Sequence, residues 1–223
     1  MKHPTSPTPK GVSEAVPPRY RWEAESYRDD FESLPAASKT FEQLLEARRT
    51  RYPTAALSIG TVVSIVREIC RYRQIGTNCM DGRGKTSTIS AGALQAISVL
   101  ILREHAAPLV YDRWEDKVLL VKSVNAKGLD KEIAGIKLAA GTDQGDVLLF
   151  VADANVVETF YCDPETLVLR DCGALLQNLS LSCSAIDVAF APLGPLGETA
   201  ISMIVGPQDR LVAVGTAIIG KAS

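Results

Sequence analysis

Residues 167–187, LVLRDCGALLQNLSLSCSAID, constrain this chain more than any other stretch. The spacing predicts a helix of about six turns, apolar around most of its circumference, and such a helix has to be a central core element or lie in an interface. The remaining apolar runs mix two periods. Phe41, Leu44 and Leu45 fall on one helical face, preceded by Thr40 and Gln43 at capping-box spacing. Ile59, Val62, Val63, Val66, Ile69 and Cys70 form a second helical stripe after Pro53. Ala96–Arg103 and Asp146–Asp153 read as buried strands, PLVYD and KVLLVK as a hairpin around Arg-Trp-Glu, and TAISMIVG and RLVAVGTAIIG as two further strands. KGLDKEIAGIKLAA reads as a helix with Leu129, Ile133, Ile136 and Leu138 inward. Strands and helices alternate without regular βα units, so the expected class is α+β.

Six of the twelve prolines lie in residues 1–35, which read as a flexible proline-rich arm preceding a single domain, 36–223. The net charge of −2 is spread along the chain, which excludes the clustered basic face of a nucleic-acid binder. No apolar run approaches the length of a membrane span, and the polar N-terminus lacks a signal-peptide pattern, so a cytoplasmic protein is expected. His3 and His105 are the only imidazoles, and the five cysteines include no C-x-x-C pair. Zinc sites and Ser-His or Cys-His catalysis therefore lack raw material, and an enzyme built this way depends on a bound cofactor. Gly82–Thr86, GRGKT, imitates the end of a nucleotide-binding loop, but the position that requires the first glycine is Cys79, so it reads as a basic turn.

Three stretches, in order from Phe41 onward, resemble the nitroreductase superfamily and its SagB/McbC-type branch of thiazoline and oxazoline dehydrogenases. FEQLLEARRTRYPTAALSIGTVVSIV resembles the opening helix with its basic pair and hydroxyl residue. ISAGALQAISVLIL is similar to the branch's Pro-Ser-Ala-Gly-Ala-Leu-His-Pro loop and strand, with Ile89 and Gln95 in place of the proline and histidine. YCDPETLVLRDCGALLQNLSLSCSAIDVAFAPLG is similar to the Lys-Tyr-Gly to Pro-x-Gly stretch, with Phe160 in place of the lysine.

The resemblance implies a nitroreductase-like α+β fold: a central, mostly antiparallel sheet flanked by helices, dimerising through the long helix, with FMN in clefts between the two chains of a homodimer. By the resemblance, Arg48, Arg49 and Thr50 hold the phosphate; the residues alone equally suit a helix C-terminus, where cations complement the dipole. Ser90, Ala91 and Gly92 would reach the flavin ring from the second subunit, and Pro192, Leu193 and Gly194 would pack near its reactive edge. Lys221 would supply a second phosphate-binding cation. As plain residues, these loops also read as ordinary turns, and Lys221 as a frayed terminus. Tyr161 would be the catalytic base, or else an ordinary strand-end aromatic. Two classes of function follow. One is an FMN-dependent oxidoreductase that dehydrogenates a heterocycle or an amino-acid- or peptide-derived small molecule in natural-product assembly, with an NAD(P)H-dependent nitroreductase as its variant. The other is a non-catalytic scaffold that serves as a second protein subunit of an assembly.

Overall fold

The computed structural model describes residues 5–11, 16–28, 31–37, 39–77, 82–208 and 210–222, so His3 and Cys79 lie outside the described residues. Its first elements are β1 (Thr8–Pro9), β2 (Ala24–Arg28), α1 (Phe41–Ala47), α2 (Ile59–Cys70), β3 (Gln74–Ile75) and β4 (Gly84–Lys85). A hairpin-rich middle follows: β5 (Ile97–Leu102), β6 (Leu109–Asp112), β7 (Lys117–Val121), α3 (Ala126–Ala139) and β8 (Asp146–Asp153). The chain continues with α4 (Ala154–Glu158), β9 (Tyr161–Cys162), α5 (Glu165–Ala185), β10 (Val188–Leu193), α6 (Glu198–Val205) and β11 (Leu211–Lys221).

Seven strands form one sheet in the order β10-β11-β8-β5-β6-β7-β2, antiparallel at every pairing. Every residue of β8 is buried, because helices cover both faces of the sheet and alternation therefore gives way to a continuous apolar run. Leu148, Phe150 and Ala152 face a core completed by α2 and α5. Val147, Leu149 and Val151 face a second core completed by α3 and α6.

In α5, Cys172, Leu175, Leu179 and Cys183 are buried on one face. Leu169, Gly173 and Gln177 are exposed on the other, so the single chain leaves part of the helix uncovered.

Three sequence expectations are corrected. Of residues 199–206, read as a strand, 199–205 lie in α6 and Gly206 caps it: Ala200, Ile201 and Ile204 are buried at helical spacing, a period that the short β-branched run disguised. Leu138 points outward at 80 % exposure, while neighbouring Lys137 is buried and donates to Glu104 at 2.8 Å. The described part of residues 1–35 does not run free: β2 pairs with β7, β1 pairs with β9, and Tyr20, Trp22, Phe31 and Leu34 pack on the two cores.

Gly84 and Lys85, from the stretch resembling a phosphate loop, instead pair with Ile75 and Gln74. Arg73 N–H donates to the Lys85 carbonyl at 2.7 Å, so the segment forms a small β-ladder. Among the described residues no helix is long and apolar enough to cross a membrane, and no cluster of side chains could hold a metal ion.

Candidate functional site

The arginine turn begins at the end of α1. Thr40 Oγ1 accepts from Gln43 N–H at 3.3 Å and Gln43 Oε1 accepts from Thr40 N–H at 2.8 Å, the reciprocal pair that starts this helix. Arg48 closes it, with φ −57° and ψ 121°, and sends the chain along the end of the sheet. Arg51 N–H donates to the Phe190 carbonyl at 3.2 Å, and Thr54 N–H to the Lys221 carbonyl at 3.0 Å. Lys221 N–H in turn donates to the Ala55 carbonyl at 2.8 Å. Gly220 permits this approach: a Cβ there would lie 2.6 Å from Pro53 Cβ and 2.5 Å from the Ala55 oxygen.

The result is a corner where the segment that follows Arg48, Arg49 and Thr50 meets β10 and Lys221 through backbone hydrogen bonds. Arg51 is committed elsewhere, to Asp187 at 2.8 Å. Arg49 is held by two carbonyls, those of Glu46 and Arg48, which leave its charge intact. Among the described residues, no carboxylate lies within ion-pair distance of Arg48, Arg49 or Lys221. Three uncompensated cations and a hydroxyl at a partly exposed corner suit a phosphate dianion.

From this corner β10 runs along the edge of the sheet, paired only with β11 among the described residues, from Val188 opposite Lys221 to Leu193 opposite Thr216. Its first four residues are buried; Pro192 and Gly194 are exposed. At about 3.4 Å per residue, Gly194 lies roughly 14 Å along the strand from Phe190, where the arginine segment is anchored.

The Ser90–Gly92 loop is built on α5. Both carboxylate oxygens of Asp171 accept from Ala91 N–H, at 3.1 and 3.0 Å. Burial raises the Asp171 pKa from the usual carboxylate value, against the pull of this hydrogen bond. Ser90 Oγ accepts from Gln95 N–H at 3.0 Å, and Gly92 sits at φ +58°. A Cβ at Gly92 would lie 3.2 Å from Tyr161 Oη, so Tyr161 and the loop share one cluster. Tyr161 packs with Leu94, Val156, Val157 and Phe160. Phe160, where the branch has lysine, is buried among these apolar side chains.

Gln95 is tied to its own strand approach: Nε2 donates to the Thr88 carbonyl and Oε1 accepts from Thr86 Oγ1, both at 3.3 Å. Asn178 Nδ2 donates to Thr88 Oγ1 at 2.8 Å, which links this network to α5. Ile89 projects outward at 80 % exposure.

The candidate residues therefore form two clusters. Arg48, Arg49, Thr50, Lys221 and Pro192–Gly194 follow the β10 edge. Ser90, Ala91, Gly92 and Tyr161 lie where β5 begins, three strands away, at the strand end marked by Ile97 opposite Ala152 rather than Ile219 opposite Asp146. Sequence reasoning missed Asp171, whose signal was an acid in the middle of a mostly apolar stretch of α5. It also missed Arg113, which donates to the Gln95 and Ile97 carbonyls below the loop.

No family profile and no curated protein matches this sequence. Solved structures do match its fold. A putative nitroreductase from Ralstonia eutropha JMP134 superposes with TM-score 0.66 at 16% identity, over 97% of this chain and 99% of that one. A chain of the E. coli microcin synthetase McbBCD complex with truncated pro-MccB17 gives 0.60 at 15% identity, over 88% of this chain and 77% of that one. A putative nitroreductase from Desulfovibrio desulfuricans in complex with FMN gives 0.53 at 17% identity, over 82% and 86%. The antiparallel sheet, its helical cover and these superpositions together show that the chain has a nitroreductase-like fold.

Proposed function

We propose that the chain is an FMN-dependent oxidoreductase acting as a homodimer, with each flavin held by both chains. The observation that carries this reading is the β10 edge. At one end stand the cations of Arg48, Arg49 and Lys221, without carboxylate partners among the described residues; at the other is the open Pro192–Gly194 turn. Along the strand, Phe190, where the arginine segment is anchored, and Gly194 lie roughly 14 Å apart, so the edge is long enough to lay out an extended ligand. The Desulfovibrio structure of the same fold contains FMN, which supports the choice.

Ser90–Gly92 stands too far from this edge in one chain to reach the same ring. The uncovered stripe of Leu169, Gly173 and Gln177 on α5 gives a second copy a surface to pack on. When bound, the flavin supplies a hydride acceptor. Arg48, Arg49, Thr50 and Lys221 hold its phosphate, the Pro192–Gly194 backbone and the partner's loop orient its ring, and the Tyr161 that sits beside that same loop takes the substrate proton as a phenolate. The substrate in this reading is a heterocycle or a peptide-derived small molecule; the microcin synthetase match, a complex with truncated pro-MccB17 bound, is compatible with it, while the nitroreductase matches equally suit a nitro compound. Buried Phe160 favours a second reading, because it removes the lysine that would assist the tyrosine: a non-catalytic partner subunit on the same scaffold.

Two experiments separate these. Arg48→Glu and Gly92→Val chains should each fail to hold FMN as homodimers. Co-refolded, they should regain flavin in about a quarter of sites, because half the dimers are mixed and each mixed dimer has one intact site. No recovery at all would contradict the shared site. With a synthetic thiazoline-containing peptide as substrate, Tyr161→Phe should slow oxidation to the thiazole by about 100-fold or more; turnover at the unaltered rate would remove Tyr161 as the base.

A further inference from the structure

A second concavity, away from the β10 edge, concentrates the aromatic and cationic side chains of this chain. Segment 16–22 and the β6–β7 turn form its two walls, and Val156, Leu119 and Leu211 give it an apolar floor; its volume is about 720 Å³. That is the size range of a ligand site. Both tryptophans of the chain, Trp22 and Trp114, line it.

The aromatics come in edge-to-face pairs: Tyr72 with Trp114 at 4.4 Å and Tyr20 with Trp22 at 4.9 Å between ring centroids. Arg19 lies over the Trp114 ring, 3.2 Å from its centroid, and Arg113 lies 5.9 Å from that of Tyr72. Among the described residues, four cations, Arg19, Arg21, Arg113 and Lys117, line the groove with three acids, Asp112, Glu115 and Asp153. Asp153 is neutralised by Arg210 at 2.8 and 2.9 Å. Arg19, Arg21 and Arg113 have no carboxylate within ion-pair distance among the described residues, and Arg113 is held by the Gln95 and Ile97 carbonyls and by the Tyr72 side chain. Asp112 Oδ1 accepts from Trp114 N–H at 2.8 Å and from Glu115 N–H at 3.5 Å. Asp112 thus occupies two amides of the turn, and the guanidinium forks and ring faces serve as recognition elements.

We propose that this groove binds an extended acidic peptide segment bearing an aromatic side chain. The carboxylates engage Arg19 and Arg21 while the aromatic group packs on the Trp114 and Trp22 rings above the apolar floor. Leu94, Gln95 and Ala96, two to four residues after Gly92, line the groove, so the bound segment passes close to the loop that reaches the partner's flavin. That destination rests on the flavin reading; the peptide site does not.

Because both tryptophans line the groove, intrinsic tryptophan fluorescence reads its occupancy directly. The probes are a short capped peptide of glutamate and phenylalanine, the same peptide with lysine for glutamate, and ADP. The full chain should respond saturably to the acidic peptide and at least about tenfold more weakly to the other two. Arg19 and Arg21 are exposed, so Arg19→Glu/Arg21→Glu should keep its far-ultraviolet circular dichroism and flavin content while binding the acidic peptide at least about tenfold more weakly. Equal response to the lysine peptide, stronger response to ADP, or no response to the acidic peptide would overturn the proposal. Flavin content measured on the same samples reports separately on the oxidoreductase reading.

Discussion

Arg103→Met is expected to destabilise the folded chain by about 3–5 kcal/mol, the cost of stranding a buried carboxylate by removing its partner. Asp146, at the start of β8, is fully buried, and Arg103 grips it through Nε and Nη2, both at 2.7 Å. Arg103 itself is one-third exposed, so water reaches the guanidinium side and places the loss toward the lower end of that range. The same Nη2 donates to the Leu57 carbonyl at 2.9 Å and so braces the link from the arginine turn to α2. The variant should therefore bind FMN more weakly as well as unfold earlier.

Arg67→Met is the control. Its partner Asp116 is about half exposed, and the expected loss is about 0–1 kcal/mol at neutral pH. The Asp116 pKa is lowered in the folded chain, chiefly by hydrogen bonding to Arg67. The pair's contribution is thus present above the ordinary carboxylate range and lost as pH falls through the depressed value. Urea unfolding at neutral pH checks both; a loss below about 1 kcal/mol in Arg103→Met would show that water, not Arg103, compensates Asp146.

Arg48→Ala is expected to weaken FMN binding by about 30-fold or more, the cost of deleting one charge-assisted phosphate contact. Arg51→Ala, three residues along, should leave the affinity within a few-fold, because its guanidinium is already committed to Asp187 and the Val188 carbonyl. Quenching of FMN fluorescence in a titration separates the two variants. Equal effects would mean that the corner acts by general positive charge; no effect in Arg48→Ala would remove the phosphate role.

Legibility followed the range of the interactions. The α1 capping box, the α2 stripe and the buried β8 run were readable because each is written within a few neighbouring residues. Residues 199–206 were misread because a short apolar run carries both periods, and only packing against α3 selects the helix. Leu138 was assigned inward on composition, whereas the Lys137–Glu104 contact places the lysine there instead. The strand at 24–28 was hidden by the prolines around it. For the site, residue types were legible but grouping was not. That Tyr161 meets Gly92, and that Lys221 meets the arginine segment, follows from sheet order, which no local pattern encodes. Asp171 was invisible for a related reason, since one acid on a long helix reads as surface until a loop donates to it.

The most direct test is equilibrium binding of FMN to the unmodified chain, followed by the flavin's visible absorbance and by light scattering for mass. The account predicts a yellow dimer that saturates at about one FMN per chain, as a site shared across a two-fold interface requires. A colourless protein that takes up no FMN at saturating concentration would contradict it.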